Sequence, residues 1–261
     1  MVLVYILFFI LGTLVGSFLN VVVIRSETRE SIFKGRSSCP YCKKKLNWFE
    51  LIPILSFLIQ KGKCKGCKKR ISIQYPLVEF FTGLIFVLIA AYGLDFTLYG
   101  LINIVFLIIF SCFLIIIFTY DLKHYLVPDK IIYPAIVITL IYDIYISLMV
   151  GDWSLLSSSI IAALIAAGFF LFLILISKGK WMGMGDLKIG ILISLFFGLP
   201  QFFIVLFLAF LIGAIVSIIL LVLKKKTLKS EIPFGPFLSG ATFIVLFLGV
   251  GLIRWYLDLF I

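Results

Sequence analysis

The sequence predicts an all-α polytopic membrane protein with about eight transmembrane helices and a cytoplasmic tetracysteine zinc-binding loop. The 261 residues are 63% hydrophobic and only 13% charged, against roughly 45–50% and about 25% in soluble domains. The apolar residues form long unbroken runs, which suit membrane helices and lack the alternation of a barrel strand. Lys and Arg gather in every second gap between those runs, the pattern of loops kept on the cytoplasmic side.

The runs cover 2–24, 76–93, 98–119, 131–150, 157–177, 187–199, 201–223 and 237–258. The first has neither a basic n-region nor an A-x-A cleavage site, so it reads as a retained span and not a removed signal peptide. The loops 25–75, 120–130, 178–186 and 224–236, with Lys188 at the start of the sixth span, hold 22 of the 23 Lys/Arg; only Arg254 falls outside them. The alternate loops YGLDFT, GDWSLLS and LPQ hold none. Both termini are therefore expected outside. The net charge of +11 belongs to this positive-inside pattern, and no nucleic-acid partner is expected. The sixth run is short. From Asp186 to Gly198 is 13 residues, about 20 Å of helix against roughly 30 Å of hydrocarbon. Either the bilayer thins there, or the helix starts below the cytoplasmic surface with Asp186 in a protein-lined or wet cavity.

Residues 25–75 form a loop domain between the first span, 1–24, and the remaining spans, 76–261. It holds 13 Lys/Arg and three Glu. Cys39/Cys42 and Cys64/Cys67 form two C-x-x-C pairs separated by 21 residues, just beyond the usual window of about 15–20. Four thiolates make a closed tetrahedral set, which suits structural zinc and leaves no open position for catalysis. A disulfide or redox use is the alternative, disfavoured by the reducing cytoplasm. Cys112 lies in an apolar run and is expected as a packed thiol. LIPILSFLI, between the pairs, is too short to span and is expected on the membrane or over the metal. Glu79, just inside the second span, is either a functional acid or an interfacial one paired with a nearby Lys or Arg.

Asp121 ends the third span, Asp129 opens the fourth after Pro128, and Asp186 opens the sixth within GMGDLK. Asp129 suits a helix N-cap. Asp121 falls at a helix C-terminal end, where the dipole disfavours negative charge. His124, the single histidine, lacks companion ligands and is expected at the surface. Asp121 and Asp186 lie on the same side, and capping alone explains neither well. Two carboxyls held close divide into an acid and a base, which can activate water and protonate a leaving amine. Gly183 and Gly185 leave room for a substrate backbone to pass, and the non-helical Pro233 and Gly235 on the same side are candidates for shaping that groove. The same acids would also suit a proton- or ion-coupled transporter.

Six segments follow one another along the chain: GSFLNVVVIR (16–25), the C-x-x-C pairs flanking WFELIPILSFLIQKGKC, ISIQYPLVE (71–79), YDLKHYLVPD (120–129), GMGDLK (183–188) and IPFGPFLSG (232–240). Together they resemble the bacterial type IV prepilin peptidases (leader peptidase/N-methyltransferases), membrane aspartyl proteases of the GxGD type. The resemblance implies that Asp121 and Asp186 are the catalytic pair of an aspartyl protease domain over 76–261. It implies prepilin or pseudopilin substrates, cut behind a short basic leader at the cytoplasmic face of the bacterial plasma membrane. It also implies methylation of the new N-terminal amine with S-adenosylmethionine, since the tetracysteine loop accompanies the bifunctional members. Gln74 stands where the family's IS-x-x-YP motif commonly has Arg.

Overall fold

A computed structural model describes residues 1–28, 31, 35–93, 97–227 and 230–258. Arg29 and Lys34 of the basic loop, Leu94 to Phe96 of the first outside loop, Lys229 and the Arg254 side chain lie outside the described residues. Nine α-helices are described: α1 Val2–Thr28, α2 Leu55–Ile59, α3 Gln74–Gly93, α4 Leu98–His124, α5 Asp129–Val150, α6 Trp153–Ser177, α7 Met184–Phe197, α8 Gln201–Val222 and α9 Gly235–Asp258. Among the described residues, extended pairing is limited to two isolated bridges, Ser38 with Lys45 and Lys63 with Arg70. The all-α membrane class is as expected.

Each of the eight apolar runs falls on one helix. Six of these helices, α1, α3, α4, α5, α6 and α8, are long and apolar enough to cross a membrane. Helix α7 has only 14 residues, and the apolar stretch Gly235–Gly249 of α9 is also shorter. Among the described residues six helices thus qualify as crossing helices by length and composition, where the runs predict about eight.

The chain divides into two compact units, Met1–Ile116 and Ile117–Ile261. In the first, α1 packs along α3. A β-carbon on Gly12 would lie 2.7 Å from the Gly83 Cα, and one on Gly16 would lie 2.9 Å from the Glu79 Cα. Small residues at this seam let the two backbones touch, the usual means of helix association where lipid is as apolar as the side chains.

In the second unit α7 is the hub, packing on α5, α6, α8 and α9. Ile189, Leu192 and Ile193 are fully buried. Its neighbours explain why so short a helix is tolerated. Protein and not lipid surrounds it, so its ends do not have to reach either membrane surface.

Two boundaries differ from expectation. Helix α4 continues to His124, because DLKH is polar but helix-compatible, and so Asp121 lies within its last turns. The helix closes where Tyr125, at φ +57°, returns its N–H to the Asp121 carbonyl at 2.9 Å. In α5, Pro128 occupies the N-cap position and Asp129 is the first helical residue. Asp129 therefore does not cap its helix; its carboxylate instead holds Lys188 of α7. Pro fits this boundary because its extended φ suits a residue just before a helix and it has no N–H to leave unpaired.

Candidate metal centre and paired aspartates

The cysteine loop is built from two copies of one turn, CPYCKKK (39–45) and CKGCKKR (64–70). In the first, the Cys39 N–H donates to the Lys44 carbonyl at 3.0 Å and the Lys43 N–H to the Cys39 carbonyl at 3.0 Å. In the second, Cys64 donates to Lys69 and Lys68 to Cys64, both at 2.9 Å. Lys43 and Lys68 take the same left-handed conformation, at φ +56° and +60°. Each turn presents two sulfurs to one point. All four Sγ atoms lie within 4.8 Å of one another, with Cys39 and Cys67 3.9 Å apart and Cys42 and Cys64 4.0 Å apart. A tetrahedral zinc with Zn–S near 2.3 Å would separate its sulfurs by about 3.8 Å. The donor set therefore fits structural zinc and excludes a formed disulfide, whose sulfurs sit about 2.05 Å apart. Backbone N–H groups of Cys67 and Gly66 aim at the Cys64 sulfur and hold its thiol down to about 7, so that a metal ligand is available near neutrality.

The 21 residues between the pairs are accommodated by a short turn, Trp48–Glu50, and by α2. Glu50 is buried there and accepts from the Asn47 N–H at 2.9 Å and from Lys44 at 3.0 Å. That amide and the Lys44 ammonium hold its carboxyl below the usual range. Leu55, Leu58 and Ile59 of α2 are exposed. Glu79 lies on α3 and accepts the Ile54 N–H at 2.8 Å. The acid is thus paired with a loop backbone amide and fastens the LIPILSFLI segment to a helix. Its partner is neither the Lys nor the Arg that an interfacial acid was expected to find.

In the second unit, α4, α7 and the start of α9 come together around two carboxyls. Asp121 is 4% exposed and accepts the backbone N–H of Gly235, the first residue of α9. The acid sits at the unfavourable end of its own helix but at the favourable N-terminal end of another, which compensates it. A β-carbon at position 235 would lie 2.5 Å from Asp121 Oδ2 and 2.8 Å from Ile189 Cδ1. The side chain missing at Gly235 is thus room taken by Asp121. Asp186 is in the first turn of α7, where its Oδ2 accepts the Gly183 N–H at 3.1 Å. Capping therefore does account for one of its contacts. Asp121 is close enough to act electrostatically on Asp186.

The two glycines of GMGD differ. A β-carbon on Gly185 would strike Val127 Cγ2 at 2.7 Å, whereas one on Gly183 would meet nothing nearer than the Gly185 nitrogen at 3.9 Å. The space over Gly185, expected to admit a substrate, is filled by a side chain of this protein; that over Gly183 is open. Pro233 is half-buried just before α9, and its neighbour Phe234 packs on Phe210 with ring centroids 4.8 Å apart. His124 is half-buried and lies against the Tyr120 ring at 4.5 Å between centroids.

Asp143, inside α5, escaped the sequence reading. Its signal was available, since a carboxylate within a predicted span marks a functional candidate by default.

Fold and site define a polytopic helical membrane protein with a tetracysteine cluster that could hold a metal ion, and with an aspartate, Asp121, acting electrostatically on a second, Asp186. Residues 10–92 match the bacterial peptidase A24 N-terminal domain, and residues 108–218 match the type IV leader peptidase family. The prepilin leader peptidase/N-methyltransferase of Aeromonas salmonicida (strain A449) is 31% identical over 284 residues, covering 97% of this chain and 93% of that protein. Its namesake in Bacillus subtilis (strain 168) is 32% identical over 253 residues, covering 96% and 97%. A third, from Xanthomonas campestris pv. campestris, is 32% identical over 271 residues, covering 95% and 92%. No match among solved structures reaches significance. The chain belongs to the type IV leader peptidase family.

Proposed function

We propose that this protein cleaves the short basic leader from a type IV prepilin or pseudopilin, using Asp121 and Asp186, and then methylates the new N-terminal amine. The observation that carries the reading is that two carboxyls on separate helices, α4 and α7, are each held by one backbone N–H, with Asp121 close enough to act electrostatically on Asp186. Each carboxyl keeps further acceptor capacity for a water. One takes a proton from water as it adds to the scissile carbonyl, and the other gives a proton to the leaving amine. No covalent link to the enzyme is needed. The charge bias of the loops supports a position for both aspartates on the cytoplasmic side of a bacterial plasma membrane, with both termini outside. A basic leader is attracted to an acidic pair there, while the apolar segment behind it stays among the membrane helices. Gly183, Gly185, Pro233 and Gly235 border the pair, and the open face at Gly183 is the side from which a peptide backbone approaches.

Cys39, Cys42, Cys64 and Cys67 would hold Zn2+, whose contribution is to fold a loop too small to stabilise itself. S-adenosylmethionine is the methyl donor. The cavity of about 280 Å3 in the first unit, lined by Tyr5, Tyr92, Tyr99 and Asn103 among others, presents no carboxylate to a ribose or a sulfonium among the described residues. Its described lining does not fit that cofactor. The family match leaves the transporter alternative without an observation of its own.

The test is processing of a co-reconstituted prepilin by Asp121→Ala and Asp186→Ala. Both should be inactive while remaining folded; full cleavage by either overturns the assignment. Mass spectrometry of the mature pilin with S-adenosylmethionine present tests methylation, and an unmodified N-terminus despite added donor refutes it.

A further inference from the structure

Helix α7 has a second polar end. Asp186 is in its first turn, and about 16 Å further along Asp143, Tyr142 and Ile146 of α5 line a cavity of about 280 Å3 together with Ser158 and Ser159 of α6 and Gln201 of α8. Ser159 is hydrogen-bonded to Asp143. Ser158 is occupied elsewhere: its hydroxyl oxygen accepts the Leu199 N–H at 3.0 Å. The second carboxylate oxygen, Oδ2 of Asp143, is buried and has no hydrogen-bond partner among the described residues.

One turn further along α5, Ser147 is 0% exposed, and its Oγ also has no partner. Helical hydroxyls in this chain ordinarily bond back to the preceding turn, as Thr139 does to the Ala135 carbonyl at 2.9 Å. The residues lining the cavity include no Lys, Arg or His. An unsatisfied carboxylate within a membrane helix bundle is costly unless a bound proton or another positive charge neutralises it.

We propose that this cavity binds a monovalent metal cation, held by Asp143 with oxygens of Ser159 and Gln201. The polar side chains lining it offer carboxylate, hydroxyl, phenol and amide oxygens, hard ligands of the kind that alkali and alkaline-earth ions take. One carboxylate balances one positive charge; a divalent ion would leave a surplus in a low-dielectric site. The volume also leaves room for several waters, at about 30 Å3 each, so the ion can keep part of its hydration. Because the ligands come from α5, α6 and α8 around the end of α7, binding fastens those three helices together.

The experiment uses the full chain in nanodiscs, with NaCl titrated at constant ionic strength against choline chloride and thermal unfolding as the readout. The wild type should show a saturable rise of at least about 3 °C. Asp143→Asn should abolish the Na+ dependence, and Ser159→Ala should move the midpoint several-fold higher. Radiolabelled Na+ should bind at about one ion per chain. If Asp143→Asn does not fold, the labelled-ion comparison of wild type with Ser159→Ala decides, and equal binding by the two overturns the assigned ligands. A wild-type stability that Na+ and K+ leave no different from choline, or a Na+ effect that survives Asp143→Asn, overturns the site.

Discussion

The backbone N–H of Gly235 donates to the carboxylate of Asp121, and the two residues are so close that a β-carbon at 235 would lie 2.5 Å from Asp121 Oδ2. Gly235→Ala must therefore push Asp121 aside or open the start of α9. We expect prepilin cleavage to fall by about tenfold to a hundredfold in kcat/KM, or ~1.4–2.8 kcal/mol, with a smaller effect on thermal stability. Unchanged kinetics would show that the Asp121 position is not what the Gly235 contact secures.

The Gly185 contact separates packing from substrate passage. Gly185→Ala drives its new methyl into Val127 Cγ2 at 2.7 Å and is expected to impair cleavage. Adding Val127→Ala removes that atom and should restore a large part of the activity, as expected for two residues in direct contact. A double variant no better than Gly185→Ala alone would mean that the glycine serves the substrate directly.

Zinc loading should depend on pH in a defined direction. The Cys64 thiol, lowered to about 7 by the Cys67 and Gly66 amides, is thiolate above that pH and thiol below it. Protons and metal compete for the same sulfur. At fixed free zinc, occupancy measured by metal analysis is expected to fall as the pH is lowered, because each sulfur that takes a proton is lost as a ligand. Replacing Cys39 or Cys64 by Ser should abolish loading and expose residues 43–63 to proteolysis. A flat occupancy profile from pH 8 down to about pH 5 would contradict four-thiolate ligation.

Glu79→Gln weakens the tie between α3 and the loop, because a neutral amide oxygen is a poorer acceptor for the Ile54 N–H than a carboxylate. A loss of about 1–2 kcal/mol of loop stability should appear as faster protease nicking between residues 43 and 63, with prepilin cleavage retained. Equal nicking rates for wild type and variant would remove Glu79 from this role.

Much of this protein could be read from its sequence because its largest signals are one-dimensional. A membrane helix satisfies its own backbone, so unbroken apolar runs locate α1, α3, α4, α5, α6 and α8 without knowledge of their neighbours. The tetracysteine cluster was equally legible. Each C-x-x-C pair closes its own turn, and only the approach of two such turns remained to be learned. Asp121 and Asp186 stood out because each is an acid placed where hydrocarbon or a helix dipole disfavours one.

Tertiary structure decided what depends on a second element. The sequence marks α7 as too short to cross the hydrocarbon; packing against four other helices shows why that is tolerated. Asp121 looked misplaced at the end of α4 until the N-terminus of α9 supplied its hydrogen bond. Asp129 turned from an expected cap into the partner of Lys188, and Gly185 from an opening into a seat for Val127. In each case the deciding atom belongs to a residue at least 50 positions away in the chain or on another helix, and local pattern carries no information about that distance. The loose carboxylate oxygen of Asp143 is of the same kind. Only the surrounding helices show that no described residue partners it.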